Sequence, residues 1–266
     1  DYPQAEATAR KAVLLSEAAL GPSALEGSDA LNALAVILDD TDRAGEAEAL
    51  YQRALVIRMK ALGPDHIVVA LSLGNLAGNF RRQQKYAEAE KLFQKALGIY
   101  EKAKDDSSVA FTLNSLGQVH SDLSRDDEAE REYRKSLQIY DRLGGRDASL
   151  AGVCFNLGDL LRKRGKIDDA LQLQEKAREV LSKTLGPDHP KMATALHNIA
   201  VIYMGQGGKN EEADQLYRRS RAIWEKAYGP DHPEMAVSLD NHARLLEGMG
   251  RKDEAAQMRQ RVQEIR

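Results

Sequence analysis

Seven alanines recur along the chain at nearly constant spacing. Ala5, Ala47, Ala89, Ala129, Ala170, Ala213 and Ala255 are separated by 42, 42, 40, 41, 43 and 42 residues. Four of them open the same short pattern, Ala-x3-ring-x2-small: Ala47/Tyr51/Ala54, Ala89/Phe93/Ala96, Ala129/Tyr133/Ser136 and Ala213/Tyr217/Ser220. Ala5, Ala170 and Ala255 hold the slot with weaker company. A period of this length is the mark of a repeat architecture, in which one unit cannot bury its own apolar face and neighbours stack to do so.

Thirteen residues before most of these alanines, a bulky apolar residue precedes a small one: Leu34-Ala35, Leu76-Ala77, Leu116-Gly117, Leu157-Gly158 and Ile199-Ala200, with His242-Ala243 as the departure. Three residues later stands Leu38, Phe80, His120, Leu161, Tyr203 or Leu246. A small residue lets two helices approach closely, and the bulky one a turn later fills the space beside the contact. Each unit reads as two helices. In the fifth, Met192, Leu196, Ile199, Ala200 and Tyr203 make one apolar stripe at helical spacing, and Ala213, Leu216, Tyr217, Ser220, Ile223 and Trp224 make the other. The linkers LGPDH at 62–66, LGPDHP at 185–190 and YGPDHP at 228–233 punctuate the units. Glycine suits a helix C-cap with positive φ, and proline suits the first turn of the next helix.

Leu-(Ala/Gly)-x2-aromatic, followed after eight residues by Ala-x3-aromatic-x2-(Ala/Ser), resembles the tetratricopeptide repeat. The unit near 42 residues, with its GPDHP linker, is similar to the long-repeat subclass of kinesin light chains. The resemblance covers essentially the whole chain. It implies an all-α, right-handed solenoid of about six helix-turn-helix units plus an extra N-terminal helix. The repeat register predicts a single domain over 1–266, with a half repeat at 1–23 and units near 24–65, 66–106, 107–146, 147–188, 189–231 and 232–266. Helices of about 14 to 19 residues and no strands are expected.

Composition narrows the function classes. Hydrophobic residues make up 42% and charged residues 30% of the chain, with only 7 prolines, as in a folded helical protein. The net charge of −3 gives no field that would gather nucleic acid, and Arg81-Arg82 and Arg218-Arg219 are short runs near acids. No stretch approaches the roughly 18 apolar residues of a membrane-spanning helix. The single cysteine, Cys154, excludes an internal disulfide and fits a reducing, cytoplasmic setting.

No catalytic or cofactor motif emerges. His66, His189 and His232 sit in the repeated linker, where helix capping explains them. His120 takes the slot of Phe80 and Tyr203, and His197 and His242 each stand alone on a helix. No His-Glu-x-x-His or paired-cysteine motif exists, so no metal and no cofactor are expected. Gly207-Gly208-Lys209 lacks the hydroxyl residue of a phosphate loop, Asn210 standing there instead, and reads as a one-residue insertion between helices. An enzyme is not expected.

Function is therefore expected from the face of each first helix opposite its core stripe, which in tetratricopeptide proteins lines the inner groove. The register puts Asp29, Asn32, Ala33, Val36, Asp39 and Asp40 on it in the first unit; Leu71, Gly74, Asn75, Gly78, Arg81 and Arg82 in the second; and Phe111, Asn114, Ser115, Gln118, Ser121 and Asp122 in the third. It adds Gly152, Phe155, Asn156, Asp159, Arg162 and Lys163 in the fourth, Thr194, His197, Asn198, Val201, Met204 and Gly205 in the fifth, and Val237, Asp240, Asn241, Arg244, Glu247 and Gly248 in the sixth.

Asn75, Asn156, Asn198 and Asn241 hold one slot, and Asn32 and Asn114 stand one residue earlier in theirs. An amide offers donor and acceptor together, which suits a peptide backbone. The resemblance implies that role, since groove asparagines of kinesin light chain-like repeats contact the main chain of bound peptides. Each amide bonding a neighbouring helix is the alternative. Arg81, Arg82, Arg162 and Lys163 make the second and fourth faces basic, and Gly74, Gly78 and Gly152 clear space beside Phe111 and Phe155. The expected ligand is an acidic peptide with an apolar anchor. The competing expectation is a spacer or oligomerisation arm of a larger signalling protein. Residues 4–20 align with 46–62, a second helix whose first-helix partner is absent, so an extension before Asp1 or self-association at that end is expected.

Overall fold

The structure, a computed structural model, describes residues 2–145 and 148–265. Thirteen α-helices and no strand occur among the described residues. A lone helix α1 (Tyr2–Leu20) precedes six pairs: α2 (Gly27–Asp40) with α3 (Ala44–Leu62), α4 (Ile67–Arg82) with α5 (Tyr86–Ala103), α6 (Asp106–Asp122) with α7 (Asp126–Arg142), α8 (Ala148–Lys163) with α9 (Ile167–Thr184), α10 (Pro190–Gln206) with α11 (Asn210–Tyr228), and α12 (Pro233–Gly248) with α13 (Lys252–Ile265). The all-α repeat fold is the one the register predicts. The last expected unit, 232–266, is the pair α12 and α13, with Arg266 outside the described residues. The chain divides into two compact units, Asp1–Ile139 and Tyr140–Arg266.

The turn inside each pair has a common physical origin. Asp42, Gln84, Ser124, Gly165 and Gly250 all take positive φ just past the first helix. The next amide then bonds back to the bulky residue of the repeat: Arg43 to Leu38 O at 2.9 Å, Lys85 to Phe80 O at 2.8 Å, Arg125 to His120 O at 2.8 Å, Lys166 to Leu161 O at 2.9 Å and Arg251 to Leu246 O at 2.8 Å. This closure satisfies carbonyls that a helix end would otherwise leave open. The fifth pair departs from it where the extra residue at Gly207-Gly208 enters, both glycines having positive φ.

Between pairs, Gly63 and Gly229 cap their helices with φ 85° and 88°, but with ψ of 159° and 169°. That conformation is extended rather than left-handed helical, and it is accessible almost only to glycine. His66 and His189 cap the following helices as expected: their Nδ1 atoms accept the amides of Val68 at 3.2 Å and Lys191 at 3.1 Å. Asp105 does the same for Ser108 at 3.1 Å in the linker that lacks the GPDH sequence.

The small residues of the repeat are the most buried: Ala35, Ala47, Ala77, Ala89, Ala200 and Ala213 have no exposed surface. Tyr51, Phe93 and Tyr217 fill the space beside them. Gly117 is required by the ring it faces, because a Cβ there would lie 2.6 Å from Cδ1 and Cε1 of Tyr133. Gly117→Val is expected to cost about 2–3 kcal/mol in a urea melt, since the ring cannot move without displacing packed neighbours.

Candidate functional site

In the N-terminal unit, α4 lies beside α6. Of the residues expected on the first-helix faces of α2, α4 and α6, Asp39 and Ser115 are buried. Asn32, Asn75 and Asn114 are half-buried. Asn75 Nδ2 donates to Asn32 Oδ1 at 2.9 Å, so these amides bond each other across neighbouring first helices. Leu71 and Phe111 share one register position and are exposed by 49% and 59%. Gly74 and Gly78 stand on the same face, and a Cβ at either would meet nothing within 4 Å. Packing does not explain why a helix would keep glycine at these two places.

The charges of this unit differ from the expectation of separate acidic and basic faces. Arg82 bonds Asp39 O at 2.9 Å and pairs with Asp40 at 3.5 Å, while Arg81 Nε donates to Asp122 at 2.6 Å. Arg81 also reaches Gln118 at 3.3 Å. Asp40 and Arg82 occupy matching positions on neighbouring first helices, and Arg81 stands one residue before the position that Asp122 holds in the next, so these charges neutralise one another. Asp39 is itself buried and receives Asn79 Nδ2 at 2.9 Å.

In the C-terminal unit, α10 lies beside α8 and α12. A pocket of about 430 Å³ opens on this face, lined among others by Asp159, Arg162, Gln174, His197, Asn198, Asn241 and Arg244. Asn198 and Asn241 are therefore brought together, as the register predicts. Phe155 and Asn156 are half-buried on the neighbouring turn of α8, and Gly152 faces open space. Arg162 and Lys163 share Asp159, at 2.6 Å to Oδ1 and 2.7 Å to Oδ2. Burial opposes ionisation of Asp159, but the hydrogen bonds from Lys163 and Arg162 outweigh it and hold the carboxyl below its ordinary range.

Gln174 belongs to this pocket although only its place in the repeat hints at it. It stands where other units keep Tyr51, Phe93, Tyr133 or Tyr217, and it is buried. A Cβ at Gly158 would lie 2.6 Å from Gln174 Nε2, so Gly158 admits the amide. Asn198 Nδ2 donates to Gln174 Oε1 at 3.2 Å, which leaves Gln174 Nε2 oriented as a donor.

His197 and His242 do not stand alone. His242 is fully buried, stacks on Tyr217 with ring centroids 5.2 Å apart, and bonds Asp214 through Nε2 at 2.5 Å. His197 meets the same Tyr217 edge-on at 5.3 Å and lies 5.6 Å from Trp224. Arg244, which can only donate, bonds Asn241 Oδ1. Asn241 must then donate through Nδ2 to His197 Nε2, 3.2 Å away, so the proton of His197 sits on Nδ1. Burial pushes both histidines down to about 4; for His242 it does so against the pull of the Asp214 hydrogen bond. These are neutral structural rings. Among the described residues no group of three or more His, Cys, Asp or Glu side chains is placed to hold a metal, and no helix is long and apolar enough to cross a membrane. Burial also pushes the Cys154 thiol up to about 12, which makes it a poor nucleophile.

Comparison with known proteins agrees with this architecture. The tetratricopeptide-repeat family model matches residues 28–102, 68–142, 147–211 and 200–266. Kinesin light chain-related protein 1 of Arabidopsis thaliana is 30% identical over 98 residues, 36% of this chain and 16% of that protein. Nephrocystin-3 of Xenopus laevis is 31% identical over 77 residues, 29% of this chain and 6% of that protein. The chain thus spans less than a fifth of the length of these relatives. Among solved structures, BtubC (BKLC) from P. vanneervenii superposes with a TM-score of 0.69 at 22% identity, covering 86% of this chain and 93% of that one. The apo form of RapI superposes with a TM-score of 0.72 at 16% identity, covering 95% and 88%. The chain belongs to the tetratricopeptide-repeat family, with long repeats of the kinesin light chain kind.

Proposed function

We infer that this chain is a non-catalytic scaffold that holds an extended peptide segment of a protein partner on the first-helix face of its units. Tetratricopeptide repeats serve protein–protein interaction in general. The finer reading rests on one observation: half-buried asparagines recur on every first helix, four at one register and Asn32 and Asn114 one residue earlier, beside exposed Leu71 and Phe111 and beside glycines that no packing requires. Helix-interior glycine without a packing reason costs about 0.5–1 kcal/mol relative to alanine. Keeping the face clear for something that lies on it accounts for that cost.

The asparagines have two roles in this reading. Asn75, Asn198 and Asn241 bond neighbouring side chains, and each of those bonds fixes which way the amide faces. An oriented amide is a better partner for a peptide group than a free one, because its rotamer is already chosen. Asn32, Asn114 and Asn156 would extend the row. The apolar anchor of the ligand lies over Phe111 in the N-terminal unit or against Phe155 in the C-terminal one. Acidic residues of the ligand reach Arg81, Arg82, Arg162 and Lys163 only in competition with Asp40, Asp122 and Asp159.

Filling the face tests this reading better than removing amides, which also bond the fold. Gly74→Gln and Gly78→Gln place bulk in open space, so each is expected to leave the melting temperature unchanged or to raise it slightly. Both are expected to lower affinity at least tenfold for peptides selected from a random library against the wild-type chain. Selected peptides that bind the filled variants as well as the wild type would sink the reading in this unit.

A further inference from the structure

We propose that the pocket between α8, α10 and α12 is a subsite for a phosphorylated side chain of the bound peptide, and that Asp159 is the residue that makes it prefer phosphate to carboxylate. The proposal rests on the peptide-binding reading above and adds to it the class of side chain that one unit selects.

The pocket differs from the rest of the face because one repeat breaks its own pattern. Where a ring would close the floor, Gln174 presents a buried amide, and Gly158 makes room for it. The bond from Asn198 fixes the amide orientation, so that Nε2 is its donor end. On one side of the pocket stands Arg162, on the other Arg244. Arg244 is positioned through Asn241 Oδ1, and Asn241 in turn is anchored on buried His197. Arg244 Nε also pairs with Asp240 at 3.6 Å, so an anion here competes with a carboxylate on each guanidinium. The pocket therefore converges two guanidiniums and an oriented amide donor on one volume. That set suits an oxyanion, and a volume of about 430 Å³ accommodates a phosphorylated side chain.

Asp159 decides which oxyanion. It already gives one carboxylate oxygen to Arg162 and the other to Lys163. A ligand carboxylate offers the same single charge and two oxygens, next to a fixed carboxylate that repels it. It must also displace a partner that is tethered and hence present at high effective concentration. Exchange of one carboxylate for another is close to neutral. A phosphate monoester carries about 1.5 to 2 negative charges and three acceptor oxygens. It can bond Arg162, Arg244 and Gln174 together while Asp159 keeps Lys163. The internal carboxylate thus raises the threshold for every anion, and only the more highly charged one exceeds it.

The test uses the full chain with N-acetyl-phosphoserine amide, N-acetyl-aspartate amide and inorganic phosphate as probes, followed by calorimetry and by fluorescence of Trp224. That residue is the chain's only tryptophan and lies 5.6 Å from His197 in the pocket wall. The phosphoserine probe is expected to bind saturably and at least tenfold more tightly than the aspartate probe. Inorganic phosphate is expected to compete with it. Arg244→Gln and Arg162→Gln are each expected to weaken the phosphoserine probe about tenfold, the loss of one charge-assisted bond. Asp159→Asn is expected to strengthen both organic probes and the aspartate probe by the larger factor, which narrows the selectivity. Three results would overturn the proposal: no saturable binding of the phosphoserine probe to either wild type or Asp159→Asn, equal affinity for the two organic probes, or Arg244→Gln binding as wild type does. Library peptides that are blocked by Gly78→Gln while the phosphoserine probe fails would end this proposal and leave the peptide-binding reading standing.

Discussion

Lowering the pH from 7 to 4 is expected to destabilise the C-terminal unit steeply, with the loss beginning near pH 6.5. The cause is the pair of neutral rings on either side of Tyr217. His197 and His242 are buried, and burial holds each at about 4, against 6.5 for the ordinary group. Between those values the unfolded chain binds protons that the folded unit refuses. Stability therefore rises with pH across this window and falls as pH drops through it. Each ring shifted by this much contributes on the order of 3 kcal/mol of lost stability once pH 4 is reached. Asp214, which faces His242 together with Arg218 and Arg251, does not mask the effect. Burial works against its ionisation, but the hydrogen bonds from Arg251, His242 and Arg218 hold it at about 2, so it stays charged throughout the window. Thermal melts of the full chain between pH 7 and pH 4, followed through Trp224, measure this. His242→Leu places in that slot what Leu34, Leu76, Leu116 and Leu157 place in other units, and it is expected to remove about half of the slope. A melting temperature that stays flat from pH 7 to pH 4.5 would show that the rings titrate as exposed histidines do.

The two histidines also show where reading the sequence stops. They are 45 residues apart and each is the only histidine of its helix, yet both rings pack on Tyr217. His242 occupies the buried apolar slot of α12, and Tyr217 occupies the ring slot of α11 that closes onto it. The register fixed these positions because helical spacing and small-residue contacts are local rules repeated in phase. The same rules placed the asparagines and the open glycines on the first-helix faces. Side-chain partners were harder to read. The ion pairs of Arg81 and Arg82 follow from matching or adjacent positions on neighbouring units, Asp40 with Arg82 and Arg81 beside Asp122, a comparison that reading each unit's charge separately overlooks. Gln174 left a signal too, as a polar residue in a ring slot opposite glycine. What no pattern could supply was the direction of each amide, which depends on donors that only the folded arrangement brings together.

Arg58→Ala is expected to cost about 3–4 kcal/mol, and Arg58→Leu much less. Arg58 lies in α3 at the position where later units bury Tyr100, Tyr140, Leu181 and Trp224. It is 97% buried, with relative exposure of 3%. Its Nε donates to Ser28 at 2.9 Å, its Nη1 to Ser72 at 2.7 Å and its Nη2 to Asp29 at 2.5 Å, so one guanidinium joins α2 to α4. Removing one partner of a buried ion pair is usually ruinous because the other charge is stranded without water. Here it is not stranded, since the Asp29 side chain is 81% exposed and solvent takes over its charge. Ser72 likewise keeps a bond to Val68 O at 3.1 Å. The loss in Arg58→Ala should therefore come mainly from the cavity, with a smaller part from the Ser28 hydroxyl. Leucine refills most of that space, as it does at Leu181, and gives up only the polar bonds. Urea unfolding of both variants separates the two contributions. If Arg58→Leu falls as far as Arg58→Ala, the hydrogen bonds rather than the volume hold α2 against α4.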